Sequence, residues 1–230
     1  MSPATKQAKR PKTLSRPQLS REVVADRAVA LADAEGLDAV TIRRLATELG
    51  VTPMALYWHF RTKEDLLAGL GDRVLDAVEV PARTRRWDVD LRAGLVALLV
   101  AMRPHPELAE LVAGQVMLHP KGLVLTELAL ATLSEAGLAP EPTAWFAMQA
   151  LRTVLALVTG DPSTDDEMPD ADRDAHQRQK LARIASLSPA QFPALTAHAE
   201  AMASCSDVDM FFELGLDHYI EGVKGLAARS

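Results

Sequence analysis

The sequence holds one cysteine in 230 residues, Cys205. That excludes an internal disulfide framework and a cysteine-rich zinc site, and it points to a reducing cytoplasm. Glycine (12) and proline (14) are too scarce for a low-complexity or collagen-like chain. No apolar run is longer than the stretch Gly94–Met102, far short of the roughly 18 residues that cross a bilayer, so no membrane span is expected. The basic N-terminal stretch has no apolar segment behind it and does not read as a signal peptide. Alternating strand patterns and internal repeats are also missing. So are an HExxH helix, a GxSxG turn, a phosphate loop and a GxGxxG turn.

What remains is helical and unevenly charged. The chain carries a net −6, yet residues 1–21 contain six basic side chains (Lys6, Lys9, Arg10, Lys12, Arg16, Arg21) and no acidic one. Residues 1–70 hold eleven basic against eight acidic side chains, so the acidic excess lies in the rest of the chain. Charge alone leaves two readings open: a nucleic-acid or acidic-surface contact at the N-terminal end, or a solvated tail.

Residues 1–19 lack periodicity and contain Pro3, Pro11 and Pro17, which predicts a flexible basic arm. Ser20 is placed to cap a first helix that Gly36 ends. Ile42, Leu45, Ala46 and Leu49 then recur on one helical face, and Gly50 stands where a left-handed residue closes a helix. Thr52 and Pro53 fit the N-cap and first position of a short helix over Pro53–Phe60. Thr62 caps a fourth helix reaching about Glu79, with Asp65 in the place of the capping-box glutamate. Further helices are predicted over Asp88–Met102, Pro106–Gly114, Pro120–Ala136, Pro142–Thr159, Asp172–Ser186, Pro189–Ala203 and Asp207–Ala228. The segment 161–174, with seven acidic residues and two prolines, reads as an exposed loop; it lacks the Gly and Glu spacing of a calcium loop. The fold class is therefore all-α.

Thr41–Lys63 is the informative unit. Two short helices joined by Gly50-Val51-Thr52 make a helix-turn-helix. Leu45, Ala46, Leu49, Val51, Leu56 and Phe60 supply its core. Met54, Ala55, Tyr57, Trp58 and His59 are left for the outer face, and a tyrosine, a tryptophan and a histidine in a row on so short a helix cannot all be core. Such side chains donate to phosphates and touch base edges. A plain helical hairpin with aromatic packing is the alternative.

These residues carry a resemblance. Thr41-Ile42-Arg43-Arg44-Leu45-Ala46, Gly50-Val51-Thr52, Leu56-Tyr57-Trp58-His59-Phe60 and Lys63-Glu64-Asp65-Leu66-Leu67 resemble the DNA-binding domain of the tetracycline-repressor (TetR) family, over about Ser20–Glu79. Leu56-Tyr57-Trp58-His59 looks like the branch that contains the tetracycline repressor itself, and the last helix is similar to the closing helix of that branch. The resemblance implies a three-helix helix-turn-helix domain at 20–80 and a larger helical ligand-binding and dimerisation domain at 85–230. It implies a homodimeric regulator, most often a repressor, that binds a palindromic operator in double-stranded DNA and responds to a small-molecule effector. It also implies contacts residue by residue. Arg43 matches a position that can reach a base edge, though a surface arginine touching phosphate alone is the other reading. Pro53, Met54 and Ala55 match the leading recognition positions, where the tetracycline repressor has glutamine, proline and threonine, so the operator is expected to differ. Tyr57, Trp58, His59 and Lys63 match backbone-contact positions. Thr41 and Thr52 are caps first and phosphate ligands second.

In the second domain, helices that usually surround the inducer in this family carry Met102, Met117, Leu118, Trp145, Phe146, Met148 and Leu155. Trp145, Gln149 and Arg152 fall at i, i+4, i+7 on one face, which makes Met102, Met117, Trp145, Met148, Gln149 and Arg152 the candidate ligand residues; core packing of that face is the competing reading. The family's metal-binding histidine has no clear match, the alignment placing about Ala113 there, so neither metal nor cofactor is expected. His105, His119, His176, His198 and His218 are scattered, which leaves an α-helical enzyme or a helical adaptor as the rival class and an activator or ligand-independent repressor as the rival within the class.

Overall fold

The structure is a computed structural model that describes residues 19–162, 170–203 and 207–229. The basic arm, apart from its last residue, and residues 163–169 of the acidic segment lie outside the described residues, as does Cys205, whereas the segment's last five residues, 170–174, are helical and not the loop expected. Twelve α-helices are described and no strand among those residues: α1 Arg21–Glu35, α2 Ile42–Leu49, α3 Pro53–Tyr57, α4 Lys63–Asp76, α5 Trp87–Met102, α6 Ala109–Gln115, α7 Pro120–Glu135, α8 Pro140–Thr159, α9 Asp170–Ala185, α10 Pro193–Ala197, α11 Ala199–Ala203 and α12 Val208–Ala227.

The N-terminal boundaries follow from their caps. Ser20, Thr41, Thr52 and Thr62 each accept a backbone N–H three residues on, at 3.1–3.3 Å. Gly50 closes α2 in the left-handed region (φ 65°), which glycine enters without steric cost. Three expectations change. The recognition helix α3 stops at Tyr57 rather than Phe60, because the chain must turn to bury Phe60 beneath α4. Asp65 does not close a capping box onto Thr62; it takes the N–H of Arg61 (2.9 Å) and Nη2 of Arg21 (2.9 Å). The helix expected over Pro189–Ala203 is broken: Pro193, not Pro189, opens α10, and α11 begins only after His198.

α1–α3 and the first half of α4 form the smaller unit. The rest of the chain builds around α5, α7 and α8, with α12 laid across α8 and α5. One apolar core runs through both units, from Val24 and Leu45 through Leu70 and Leu75 to Met102, Leu133, Val154 and Val223. α4 bridges them, packed on α1 at one end and along α6 at the other. A Cβ at Gly71 would lie 2.7 Å from the carbonyl oxygen of Leu111, so α4 and α6 are in backbone contact. His105 Nδ1 meets Asp33 of α1 at 2.8 Å, and Lys121 Nζ donates to the carbonyls of Asp76 and Val78 at the end of α4.

The segment between α4 and α5 is fastened by one buried carboxylate. Asp90 is 2% exposed and accepts from Thr84 Oγ1 (2.6 Å), Thr84 N (2.8 Å), Arg83 Nε (2.9 Å) and Arg85 N (3.1 Å). Arg83 also reaches Glu135 at the end of α7. The Thr84 hydroxyl, followed by the Thr84 N–H, the Arg83 guanidinium and the Arg85 N–H, holds the Asp90 carboxyl at about 2 against the opposing effect of burial. A depressed folded-state pKa contributes stability above the unfolded value of about 3.9, and that contribution is lost as pH falls toward 2. Wild type is therefore expected to melt well above Asp90→Asn at pH 6, with the gap closing between about pH 4 and pH 2 in thermal melts; a gap independent of pH would refute this.

Candidate functional site

The helix-turn-helix presents one open face. Arg43 on α2 is exposed, and its side chain has no hydrogen bond or ion pair among the described residues. Its neighbour Arg44 is committed elsewhere: it bonds Glu48 and Glu35, both at 2.7 Å, and Arg27 secures Glu48 from α1. Those carboxylates hold the Arg44 guanidinium above its usual range, the Glu48 hydrogen bond contributing most. Of two adjacent arginines, one braces the motif and the other is free to contact a partner.

On α3 and its exit, Met54 is 68% exposed, Trp58 85% and Tyr57 46%. Pro53 is exposed, Ala55 and His59 are half-buried, and Leu56 and Phe60 are fully buried behind them. Lys63, at the first position of α4, is exposed. Thr41 and Thr52 serve as caps with their side chains at the surface. Of the ten residues expected at a nucleic-acid contact, nine therefore sit on the two helices, their caps and the start of α4, and His59 directly follows the α3 C-cap. A tryptophan left that far in solvent has no folding rationale in this chain. Arg61, exposed in the turn before α4, adds a cation that sequence reasoning did not single out.

The second domain contains a cavity of about 700 Å³ between α6, α7 and α8. Of the residues expected on its wall, Met117, Met148 and Arg152 line it. Met102 does not: it is fully buried in the core beneath. Trp145 and Gln149 do not either; both are exposed, Trp145 by 59%. The lining stripe of α8 is Ala144, Ala147, Met148, Leu151 and Leu155, rotated about one residue from the stripe through Trp145 and Gln149, and Arg152 lies where the two meet. Glu110, Ala113, Val116, Thr126 and Leu130 complete the wall. The spacing of the small and apolar residues 144, 147, 148, 151 and 155 was the available signal; the more conspicuous tryptophan masked it. A smaller cavity of about 50 Å³ reaches behind Ala147 and Leu151 toward α5.

Among the described residues no group of three or more His, Cys, Asp and Glu side chains could hold a metal. His105 and His119 are each paired with an aspartate across the α1 and α4 contacts. No single helix among the described residues is long and apolar enough to cross a membrane.

Known proteins share this arrangement. Residues 24–70 match "Bacterial regulatory proteins, tetR family", and residues 80–226 match "Tetracyclin repressor-like, C-terminal domain". A relative from Saccharopolyspora erythraea named as an HTH-type transcriptional regulator is 28% identical over 95% of this chain and 91% of its own length. The tetracycline repressor protein class A from transposon 1721, from Escherichia coli, is 30% identical over 90% of this chain and 91% of its own. Among solved structures, the Streptomyces coelicolor TetR family protein ActR in complex with actinorhodin superposes with a TM-score of 0.75 at 31% identity, covering 91% of this chain and 99% of that one. The open helix-turn-helix face, the helical second domain and these matches place the chain in the TetR family: it is a DNA-binding transcriptional regulator and not an enzyme.

Proposed function

We propose that this regulator is a cytoplasmic homodimeric repressor that reads a palindromic operator and is released by a small molecule bound between α6, α7 and α8. The observation that carries the DNA half is the contrast between Arg43 and Arg44: the motif spends one arginine on its own rigidity and leaves the other exposed, without a partner among the described residues, in the same motif that exposes Met54, Tyr57 and Trp58. The five basic residues that precede residue 19 add phosphate contacts in this reading. The exposed apolar side chains of α8 and α12 that do not line the cavity, Trp145, Met210 and Leu214, are the surface on which two copies join. The cavity, whose size is that of ordinary small-molecule sites, supports the effector half, as does the actinorhodin complex of ActR. Occupancy reaches the DNA-binding heads through α4, which α6 and Lys121 grip at its far end. A ligand shifts that equilibrium only by binding one head spacing better than the other.

Selection from random duplex DNA should return a palindrome with half-sites about one helical turn (roughly 34 Å) or slightly more apart. Unrelated or single half-sites would sink the dimeric-reader reading. On the selected site, Arg43→Ala should cost about 1–3 kcal/mol and relax one base position. Lys63→Ala should weaken all sequences alike and reduce the salt slope by about one. If Arg43→Ala behaves like Lys63→Ala, Arg43 contacts phosphate alone.

A further inference from the structure

The cavity's walls are apolar with three polar interruptions: Arg152 on α8, Glu110 on α6 and Thr126 on α7. They are not equivalent. Thr126 already donates its proton to the carbonyl of Gly122 (2.9 Å) and leans on the Met117 sulfur (3.7 Å), so only its lone pair remains. Glu110 stands in the first turn of α6, where the helix N-terminus offsets a negative charge. Arg152 stands in the middle of α8, away from either helix end, and has no hydrogen bond or ion pair among the described residues. Arg83, Arg92 and Arg103 of the same domain each meet an aspartate, at 2.9, 3.1 and 3.1 Å. Arg152 is the one cation among the residues that line this cavity, and it sits in a part of the chain whose overall balance is acidic.

Resting on the reading of this cavity as the effector site, we infer that the effector is an amphipathic organic anion: an apolar ring body against Ala144, Ala147, Met148 and Leu151, with a carboxylate or sulfonate on the Arg152 guanidinium. Arg152 presents a planar fork of donors that fits such a group bidentately, beside an apolar wall that takes the ring body. Glu110 and Thr126 offer acceptors, so a hydroxyl or N–H on the ligand body finds a partner while a second anionic group does not. Specificity on this account comes as much from Glu110 turning away doubly anionic molecules as from Arg152 attracting singly charged ones.

A matched pair of fluorescent probes tests it: 8-anilinonaphthalene-1-sulfonate and N-phenyl-1-naphthylamine, which has the same ring body without the sulfonate. Full-length wild type should bind both, the sulfonate about tenfold to a hundredfold more tightly, the range of a charge-assisted hydrogen bond. Arg152→Gln, a change at an exposed side chain, should erase that preference and leave the neutral probe's affinity as it was. Ala147→Phe should abolish both; Ala144→Phe, at a more exposed position, repeats that block where Ala147→Phe perturbs the fold, checked by thermal melts. If neither probe binds, or both bind regardless of the blocking variants, the cavity is not the effector site. If both bind in the cavity with equal affinity, or the neutral probe binds better, or Arg152→Gln weakens both equally, the cavity reading stands and the anionic class is overturned.

Discussion

Leu214→Arg is expected to yield folded monomers and to lower operator affinity by about 10²–10⁴-fold, the loss that follows when two half-site contacts are no longer tethered. Leu214 lies on α12 and is 59% exposed, with Met210 one turn before it also open. The opposite face of α12, Phe212, Leu216, Tyr219, Ile220 and Val223, is buried inside the subunit. Tyr219 donates its hydroxyl to the carbonyl of Phe146 at 2.6 Å, and a Cβ at Gly215 would run into the Leu157 side chain, so that face already belongs to α8 of the same chain. Arginine at Leu214 therefore adds charge where a stable homodimer interface would be large and apolar, without disturbing the subunit's own packing. Val223→Arg is the control: Val223 is fully buried, and its replacement should cost the subunit its fold and leave little soluble chain. Sedimentation at micromolar concentration and operator titration read both effects. A Leu214→Arg protein that stays dimeric with wild-type operator affinity would move the interface elsewhere.

The contrast between Leu214 and Val223 shows where sequence reading reaches its limit. α12 presents apolar residues around much of its circumference: Phe211, Phe212, Leu214, Leu216, Ile220 and Val223. Periodicity identifies such a helix but not which of its stripes serves the subunit and which serves a second copy, because both are apolar for the same reason. Gly215 stands on the stripe that serves the subunit, where it permits close approach of Leu157. The same ambiguity put Met102 and Trp145 on the cavity wall when one is core and the other surface. The N-terminal domain was legible because its signals are local. Ser20, Thr41, Thr52 and Thr62 cap helices through hydrogen bonds that span three residues, and Gly50 closes α2 through its own dihedral. The role of Arg44 was not local: it depends on Glu35 and on Arg27, brought together only when α1 and α2 pack.

Phe60→Ala should produce the largest loss of stability in the DNA-binding domain, about 3–5 kcal/mol, the range for removing a buried phenylalanine. The ring is fully buried where α3 turns into α4, and α4 has Gly69 at the point of contact; a Cβ there would lie 2.6 Å from the ring. Gly69 has no side chain to move into the space the ring leaves, so a sizeable cavity term is expected. Arg21 lies across the ring, its guanidinium carbon 4.2 Å from the centroid, and also bonds the carbonyl of His59 (2.6 Å) and Asp65 (2.9 Å). These contacts look as central as the ring itself, and Arg21, followed by the Arg61 N–H, holds the Asp65 carboxyl below its usual range. They are nonetheless partly solvated: the Arg21 side chain is 47% exposed and Asp65 34%, so screening reduces their worth. Arg21→Ala should therefore cost only about 0.5–1 kcal/mol. Phe60→Ala should lose most operator binding at 37 °C, whereas Arg21→Ala should retain most of it. Calorimetry of the two variants separates burial from ion pairing as the source of stability. Equal losses, or a greater loss from Arg21→Ala, would reverse that ranking and make the arginine the keystone of the turn that sets the angle of the recognition helix.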